Sequence, residues 1–280
     1  MTLFAKKAVI ATIAVYTLTS SSSSSSVLAA PVEKCPGYGS VTVISASAPT
    51  KSQLLDDSFE AFRQLLGGDA PNGNGNTDPP IEGGHRQINW DAPGTILPFD
   101  MPGDFFATTV PRGIQFHSDT NEFRVSDDGI TSDKLFDSIN PDAAQNFLTF
   151  SPQRLFTPVG GNKNEIFITF EVPASTIPAT VAGFGAIFVD VDLEYTTKMT
   201  LYAESGCVIA EEFAKPGGLS FLGVISGEYA PDIYSIEMEY GTHALDFKWN
   251  GWGQPPQAQG AVDFVVMDDF IYSEPKAIAA

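Results

Sequence analysis

Apolar residues in this 280-residue chain occur in short runs, many of them alternating with polar residues, and glycine, proline, asparagine or aspartate separates the runs. Short, closely spaced strands with such punctuation are typical of antiparallel β-sandwiches. Two runs, 183–193 and 262–272, are the most strongly β-prone, and each carries paired acidic residues. We therefore expect an all-β, jelly-roll-like antiparallel β-sandwich with these two runs as its central strands.

Further local elements follow from the same pattern. Strands are predicted over 86–90, 105–110, 113–117, 122–126, 165–172, 197–203, 207–210, 219–225 and 233–240. Glu204-Ser-Gly206 indicates a tight hairpin, and residues 140–146 indicate one short helical turn. Residues 41–45 fit either a short strand or a loose arm.

One N-terminal segment has helical periodicity instead. Its apolar stripe consists of Leu55, Phe59, Phe62 and Leu66. This spacing predicts an amphipathic helix over 52–66, which should lie on the sheet or cover one of its open ends. Thr50 and Gln53 fit a capping box at its start, and Gly67-Gly68 fits a stop at its end.

The segment that follows, 67–84, is rich in glycine, asparagine, proline and aspartate, and we predict a flexible, solvated loop. A calcium loop could be drawn from Asp69, Asn72, Asn74 and Asn76. These residues lack the fixed spacing and terminal glutamate of an EF-hand, which favours the solvated loop.

The N-terminus has the parts of a secretory signal peptide. Lys6 and Lys7 supply positive charge, residues 8–18 are apolar, and small residues near Ala29 suit cleavage there. The apolar stretch is too short to span a bilayer. We predict a signal peptide over 1–29, an extension over 30–51, a single β-sandwich domain over 52–274 and a tail over 275–280. The mature protein should be secreted, extracellular and without a membrane span.

The charge balance narrows the classes of partner. The chain has 34 acidic against 15 basic residues, a formal net charge of −19. Such a surface repels phosphate backbones and anionic lipids, so we expect neither nucleic acid nor a membrane surface as a partner. The acidity keeps an exported protein soluble and also concentrates cations near it. The sequence does not indicate an oligomeric state.

Two cysteines, Cys35 and Cys207, are the only thiols. In an oxidising compartment an even number of cysteines favours one disulfide, although two free thiols are the alternative. The disulfide would tie the N-terminal extension to the body of the fold. Neither cysteine has a Cys or His neighbour at ligand spacing, so zinc is not indicated.

Strand alternation assigns faces to the acids of the two central strands. Asp190 and Asp192 share a face with the aromatic residues of their strand, and so does Asp268, whereas Asp269 points the other way. Asp190, Asp192 and Asp268 are therefore candidate ligands of a structural Ca²⁺, while capping of loop amides by rim carboxylates is the simpler interpretation. Paired acids also allow glycosidase chemistry, but nothing in the sequence sets their separation.

A Gly- and Pro-rich segment, 247–256, contains two tryptophans. Trp249 and Trp252 offer flat apolar faces on which sugar rings stack, and Asn250 and Gln254 offer hydrogen bonds to hydroxyl groups. The alternative is that the tryptophans fold back as a hydrophobic plug. No hydrolase triad or nucleophile elbow is present in the sequence, so no catalytic residue is predicted.

Six blocks of the sequence resemble a family of uncharacterised secreted proteins. The blocks are Ile88–Asp91, Ser151–Pro158, Gly183–Ala186, Phe188–Leu193, Leu219–Val224 and Val266–Tyr272. Members of that family resemble the extracellular β-sandwich domains that often precede a PEP-CTERM sorting tail in bacteria. The resemblance covers about 52–274 and implies a fold and a compartment more than a chemistry. The chain lacks the sorting helix and basic tail of those bacterial proteins, which favours free secretion.

The last predicted strand has a second, shorter resemblance. With its Asp268-Asp269 pair it is similar to the last strand of jelly-roll carbohydrate-binding modules, in which such an acid often helps to bind a structural calcium ion.

These observations favour a secreted, non-catalytic protein that binds glycan or a cell-wall, cell-surface or matrix component through loop aromatics. One alternative is a secreted glycoside hydrolase or lyase that uses paired carboxylates. Another is a structural surface protein without a small ligand.

Overall fold

A computed structural model describes residues 34–36, 39–67, 73–79, 81–91, 100–126, 135–161, 164–227, 232–246 and 262–278. Within these ranges two antiparallel sheets form a sandwich, which confirms the predicted all-β class. The strands are Thr42–Ala48 (β1), His85–Ile88 (β2), Asp100–Met101 (β3), Ile114–His117 (β4), Phe123–Val125 (β5), Phe156–Pro158 (β6), Glu165–Glu171 (β7), Pro178–Thr180 (β8), Gly183–Val191 (β9), Lys198–Tyr202 (β10), Val208–Phe213 (β11), Gly218–Ile225 (β12), Ser235–Glu239 (β13), Val266–Ser273 (β14) and Lys276–Ala277 (β15). The helices are Gln53–Leu65 (α1), Phe105–Thr108 (α2) and the 3₁₀ turn Ala143–Gln145.

The first sheet has the order β1-β12-β9-β14-β6-β5-β3, with β2 also paired to β14. The second has the order β11-β10-β13-β7-β8-β15, with β4 also paired to β7. The two strands predicted to be central, β9 and β14, are antiparallel neighbours in the first sheet. An aromatic-rich core fills the space between the sheets, where Trp90 stacks on Phe156 with ring centroids 4.2 Å apart.

Helix α1 lies on the outer face of the first sheet, which is one of the two positions that the apolar stripe allows. Leu55, Phe59 and Phe62 are buried in a second core against this sheet. A Cβ at Gly223 of β12 would lie 2.6 Å from the Phe62 ring, so the glycine allows the helix to approach closely. The helix begins one position later than predicted, because the hydroxyl of Ser52, rather than that of Thr50, accepts the capping hydrogen bond from the Leu55 amide.

The predicted strand over 105–110 is wrong, since α2 occupies this position. Phe105, Phe106 and Ala107 are all buried, and a continuous apolar run of this kind suits a short buried helix as well as a strand. The predicted hairpin at Glu204–Gly206 and the helical turn within 140–146 are both confirmed.

The sandwich extends beyond the predicted domain boundaries of 52–274. Strand β1 pairs along its whole length with β12, although it lies in the predicted N-terminal extension. Strand β15 pairs with β8 from within the predicted tail. Edge pairing of this kind depends on a distant partner strand, so local sequence does not reveal it.

Part of the loop predicted to be flexible is tied to the body of the fold. The buried guanidinium of Arg86 donates to the carbonyls of Gly75 and Thr77, 2.7 and 2.9 Å away. It also forms a bidentate ion pair with Glu274, with N–O distances of 2.7 and 2.9 Å. Residues 73–79 are therefore anchored on the sheet.

The outer face of the second sheet is formed by the polar positions of its own strands. Met199 of β10, Met238 of β13 and Ile166 of β7 point into the core, so alternation directs Lys198, Glu239 and Glu165 outward. Helix α1 packs on the first sheet and α2 contributes phenylalanines to the interior. Within the described ranges this outer face consequently has no helix across it.

Candidate functional site

Both acidic pairs of the central strands lie at β-bulges. The pairing of β9 with β12 shifts opposite Asp190, whose φ of +67° is unusual for a residue other than glycine. The pairing of β14 with β9 shifts between Met267 and Phe270, across Asp268 and Asp269. A bulge inserts an extra residue and breaks alternation. The faces predicted for these acids by simple alternation therefore do not hold beyond each bulge.

The bulge in β9 moves Val191, rather than Asp190, into the core between the sheets. Beyond it, Asp192 is exposed, and the neighbouring Asp263 is buried. The Asp263 carboxylate accepts hydrogen bonds from the amides of Asp192 and Leu193, at 3.2 and 3.4 Å. Burial and the negative charges of Asp192 and Asp263 raise the pKa of Asp190 to about 6.

In β14 the two acids are enclosed, with exposures of 0% for Asp268 and 2% for Asp269. The Asp268 carboxylate accepts a hydrogen bond from the Phe150 amide at 2.6 Å. The hydroxyl of Ser151 lies 2.6 Å from Asp269, 3.3 Å from Asp268 and 3.0 Å from Asp91. Asp91 in turn accepts hydrogen bonds from the two amides at 153 and 154. For Asp268 the structure thus shows the capping of loop amides.

Three carboxylates around one hydroxyl cannot all be satisfied by its single proton. Burial and the charge of Asp269 raise the pKa of Asp268 well above its usual range. Burial also raises the pKa of Asp269, although hydrogen bonds from Ser151, Asp268 and Gln87 lower it in part. Two adjacent buried carboxylates do not readily ionise together, so the protonated form is favoured at Asp268, the member of the pair whose pKa is raised most.

The three predicted calcium ligands do not come together in one site. Asp190 and Asp192 are grouped with Asp263 at one end of β9, whereas Asp268 is grouped with Asp269 and its partners further along β14. Among the described residues no group of three or more His, Cys, Asp or Glu side chains is arranged to hold a metal ion.

The other predicted site residues have different outcomes. The Cys35–Cys207 disulfide is present, with a Cα–Cα distance of 5.0 Å, and Lys34 beside it bridges to Val208 of β11. The predicted glycan-binding residues lie outside the described ranges; these are Trp249, Asn250, Trp252 and Gln254.

A cleft of about 790 Å³ opens on the outer face of the second sheet. It lies where β7 begins and β13 ends, and residues 160–161 and 241–246 complete its walls. Its acidic lining residues are Glu165, Glu237, Glu239 and Asp246, and Asn164, Thr242 and His243 also line it. None of these residues was predicted as part of a site.

Hydrogen bonds hold several of these acids in place. Asp246 accepts from the Gly160 amide at 2.9 Å, which joins two walls of the cleft. Glu237 accepts from the Tyr202 hydroxyl at 2.6 Å. Burial and this carboxylate raise the pKa of Tyr202. Two of the cleft acids, Asp246 and Glu237, are thus held by hydrogen bonds to neighbouring groups.

Sequence reasoning missed this cleft although part of its signal is local. In β13 the order Ile236-Glu-Met-Glu239 alternates, so both glutamates face the same side. That face joins Glu165 only through the pairing of β13 with β7, and Asp246 joins it only through a loop. The local alternation could have predicted that Glu237 and Glu239 share one face. It could not have predicted that four acids meet in one cleft, because that depends on strand pairing and on a loop.

Comparison of the chain with protein-family models, with curated proteins and with solved structures finds no match. No helix in the described part of the chain is long and apolar enough to cross a membrane.

Proposed function

We propose that this protein is secreted, is not an enzyme, and binds glycan in the acid-lined cleft on the outer face of the second sheet. The observation that carries the proposal is the cleft itself. A volume of about 790 Å³ is large enough for a small ligand or for a few units of a polymer. Its carboxylates, the Thr242 hydroxyl and the Asn164 amide are the group types that form hydrogen bonds with sugar hydroxyls.

The position of the cleft in the chain links it to the aromatic segment predicted to bind glycan. Asp246 lines the cleft, and the segment containing Trp249 and Trp252 follows it directly in sequence. Asp263, just after that segment, is joined to the cleft wall because the Thr242 amide donates to its carbonyl oxygen at 2.8 Å. The described residues on either side of the tryptophan segment, Asp246 and Asp263, therefore lie in the cleft wall and in contact with it, respectively.

Secretion is supported by the disulfide, because disulfides persist mainly in oxidising compartments. The strong negative charge fits a soluble exported protein. Burial of Asp268 and Asp269 supports a structural rather than a hydrolytic role for this pair, since enclosed carboxylates do not reach a glycosidic bond.

The test is a glycan array probed with the protein purified from a secreting host. We expect retention on a subset of glycans that is reduced by Glu237→Gln and, separately, by the double change Trp249→Ala/Trp252→Ala. The matched control is Glu204→Gln, which removes the same charge from an exposed turn outside the cleft. Equal retention of the protein on every glycan and on the blank surface would contradict the proposal.

A further inference from the structure

The cleft has a large excess of negative charge and of hydrogen-bond acceptors. Four carboxylates line it and are separated along the chain, and no lysine or arginine is among its described lining residues. A cleft built for a neutral sugar needs donors and acceptors in similar numbers, because each sugar hydroxyl is both. An excess of carboxylates selects a ligand that brings positive charge and donors.

The same face already holds one primary ammonium group. Lys198 of β10 lies with its Nζ 2.9 Å from Glu239, which lines the cleft, and 3.0 Å from Glu211 of β11. Burial alone would lower the pKa of Lys198, but hydrogen bonds to Glu239 and Glu211 raise it. An alkylammonium group between two carboxylates is therefore a contact that this surface supports.

An unpartnered amide also lines the cleft. The side-chain nitrogen of Asn164 is buried and has no hydrogen-bond partner within the described part of the chain. A buried donor without a partner costs free energy, so a ligand acceptor such as a sugar hydroxyl would satisfy it. The Asn164 amide is consequently a donor beside the acidic acceptors that has no partner among the described residues.

An exposed aromatic pair lies beyond Lys198 on the same side of the sheet. Tyr195 is 74% exposed, and its ring packs edge-to-face on Phe213 with centroids 5.3 Å apart. Phe213 pairs with Lys198, and Lys198 pairs with Glu239. Two strand spacings therefore separate the aromatic pair from the cleft, roughly 10 Å. A chain of sugars that crosses the strands would contact both the cleft and this aromatic pair.

From these contacts we infer that the ligand of the cleft is a glycan with free, protonated amino groups, that is, a polymer or oligomer of deacetylated amino sugar. The inference rests on the proposed glycan-binding function and specifies its ligand class. The cleft carboxylates bind the ammonium groups, Asn164 donates to a sugar hydroxyl, and the exposed Tyr195 and Phe213 rings contact an apolar sugar face.

The test compares hexamers of glucosamine and N-acetylglucosamine, which have the same length and differ in the amino group. Binding is measured by calorimetry with the full secreted protein, at a pH at which the glucosamine amines are protonated. We expect the glucosamine hexamer to bind at least tenfold more tightly than the acetylated one. Glu237→Gln and Asp246→Asn should each weaken this binding at least tenfold, while Glu204→Gln leaves it unchanged. Thermal melting confirms that each variant is folded.

Each other outcome has a definite meaning. Equal or tighter binding of the acetylated hexamer, or of a neutral glucan, overturns the inference about amino groups and leaves the proposed function standing. Failure of every glycan to bind overturns both. An equal loss of affinity in Glu204→Gln shows general attraction of a cation to an acidic protein and overturns the assignment to the cleft.

Discussion

His85 of β2 is buried without hydrogen bonds to its ring nitrogens within the described ranges. Its replacement should change how the stability of the protein depends on pH. The side chain is fully enclosed. A Cβ at Gly73 would lie 2.8 Å from its Nε2, so the anchored loop closes against the ring. Arg63 and Glu60 of α1 are the charged groups that influence it.

These surroundings disfavour the charged imidazolium. Burial, and then the positive charge of Arg63, lower the pKa of His85 from 6.5 to about 4, against an opposing effect of Glu60. Between these two pH values the unfolded chain binds a proton that the folded chain does not. The contribution of His85 to stability therefore falls as the pH drops from 6.5 to 4 and levels off below that. A shift of this size corresponds to roughly 3 kcal/mol in the free energy of unfolding.

The perturbation is His85→Leu, which introduces an apolar side chain of similar size and removes both unpartnered nitrogens. At pH 7.5 we expect the variant to lie within about 1 kcal/mol of the native chain, because replacing unsatisfied polar atoms by apolar ones is nearly neutral. At pH 4 it should have gained roughly 3 kcal/mol relative to the native chain. Urea unfolding followed by tryptophan fluorescence at a series of pH values measures both numbers.

The difference between the two chains isolates the histidine from other titrating groups. Asp190, with its pKa raised to about 6, acts in the opposite direction, because its protonation on acidification favours the folded state. Both chains contain it, so it cancels. A difference that stays constant from pH 7.5 to 4 would refute the reasoning. The matched control is His117→Leu at an exposed position. A pH-dependent difference of equal size there would show that burial is not the cause.

Three further changes test other parts of the fold. Glu274→Gln should destabilise the protein by about 3 to 5 kcal/mol in urea unfolding, because it leaves the buried Arg86 charge unpaired. Asp56→Asn, which breaks an exposed ion pair, should cost less than about 1 kcal/mol. Equal effects of the two changes would contradict this. Gly223→Ala should lower stability by about 1 to 3 kcal/mol, since its Cβ would lie 2.6 Å from buried Phe62, and an unchanged melting temperature would show that the helix moves freely. Reduction of the disulfide, which closes a loop over a separation of 172 residues, should cost about 2 to 5 kcal/mol in calorimetric melting, and an identical Tm with and without reductant would contradict it.

Several elements were predictable because their signals are local. The stripe from Leu55 to Leu66 specifies one face of a helix, and a helix with one apolar face must pack on something apolar. The turn at Glu204–Gly206 depends on a few adjacent residues, with Gly206 at a positive φ. Alternating runs predicted most strands because the period of two is a property of each strand alone.

The sequence by itself determined the all-β class, the amphipathic helix, the acidity and an even pair of cysteines able to form one disulfide. Tertiary structure alone decided where the acids are and what surrounds them. The bulges at Asp190 and at Asp268 depend on the pairing of β9, β12 and β14, which are distant in sequence. The cleft likewise depends on the pairing of β7 with β13. The physical reason is that alternation assigns faces within one strand, whereas register between strands decides which faces meet, and a single extra residue reverses that assignment.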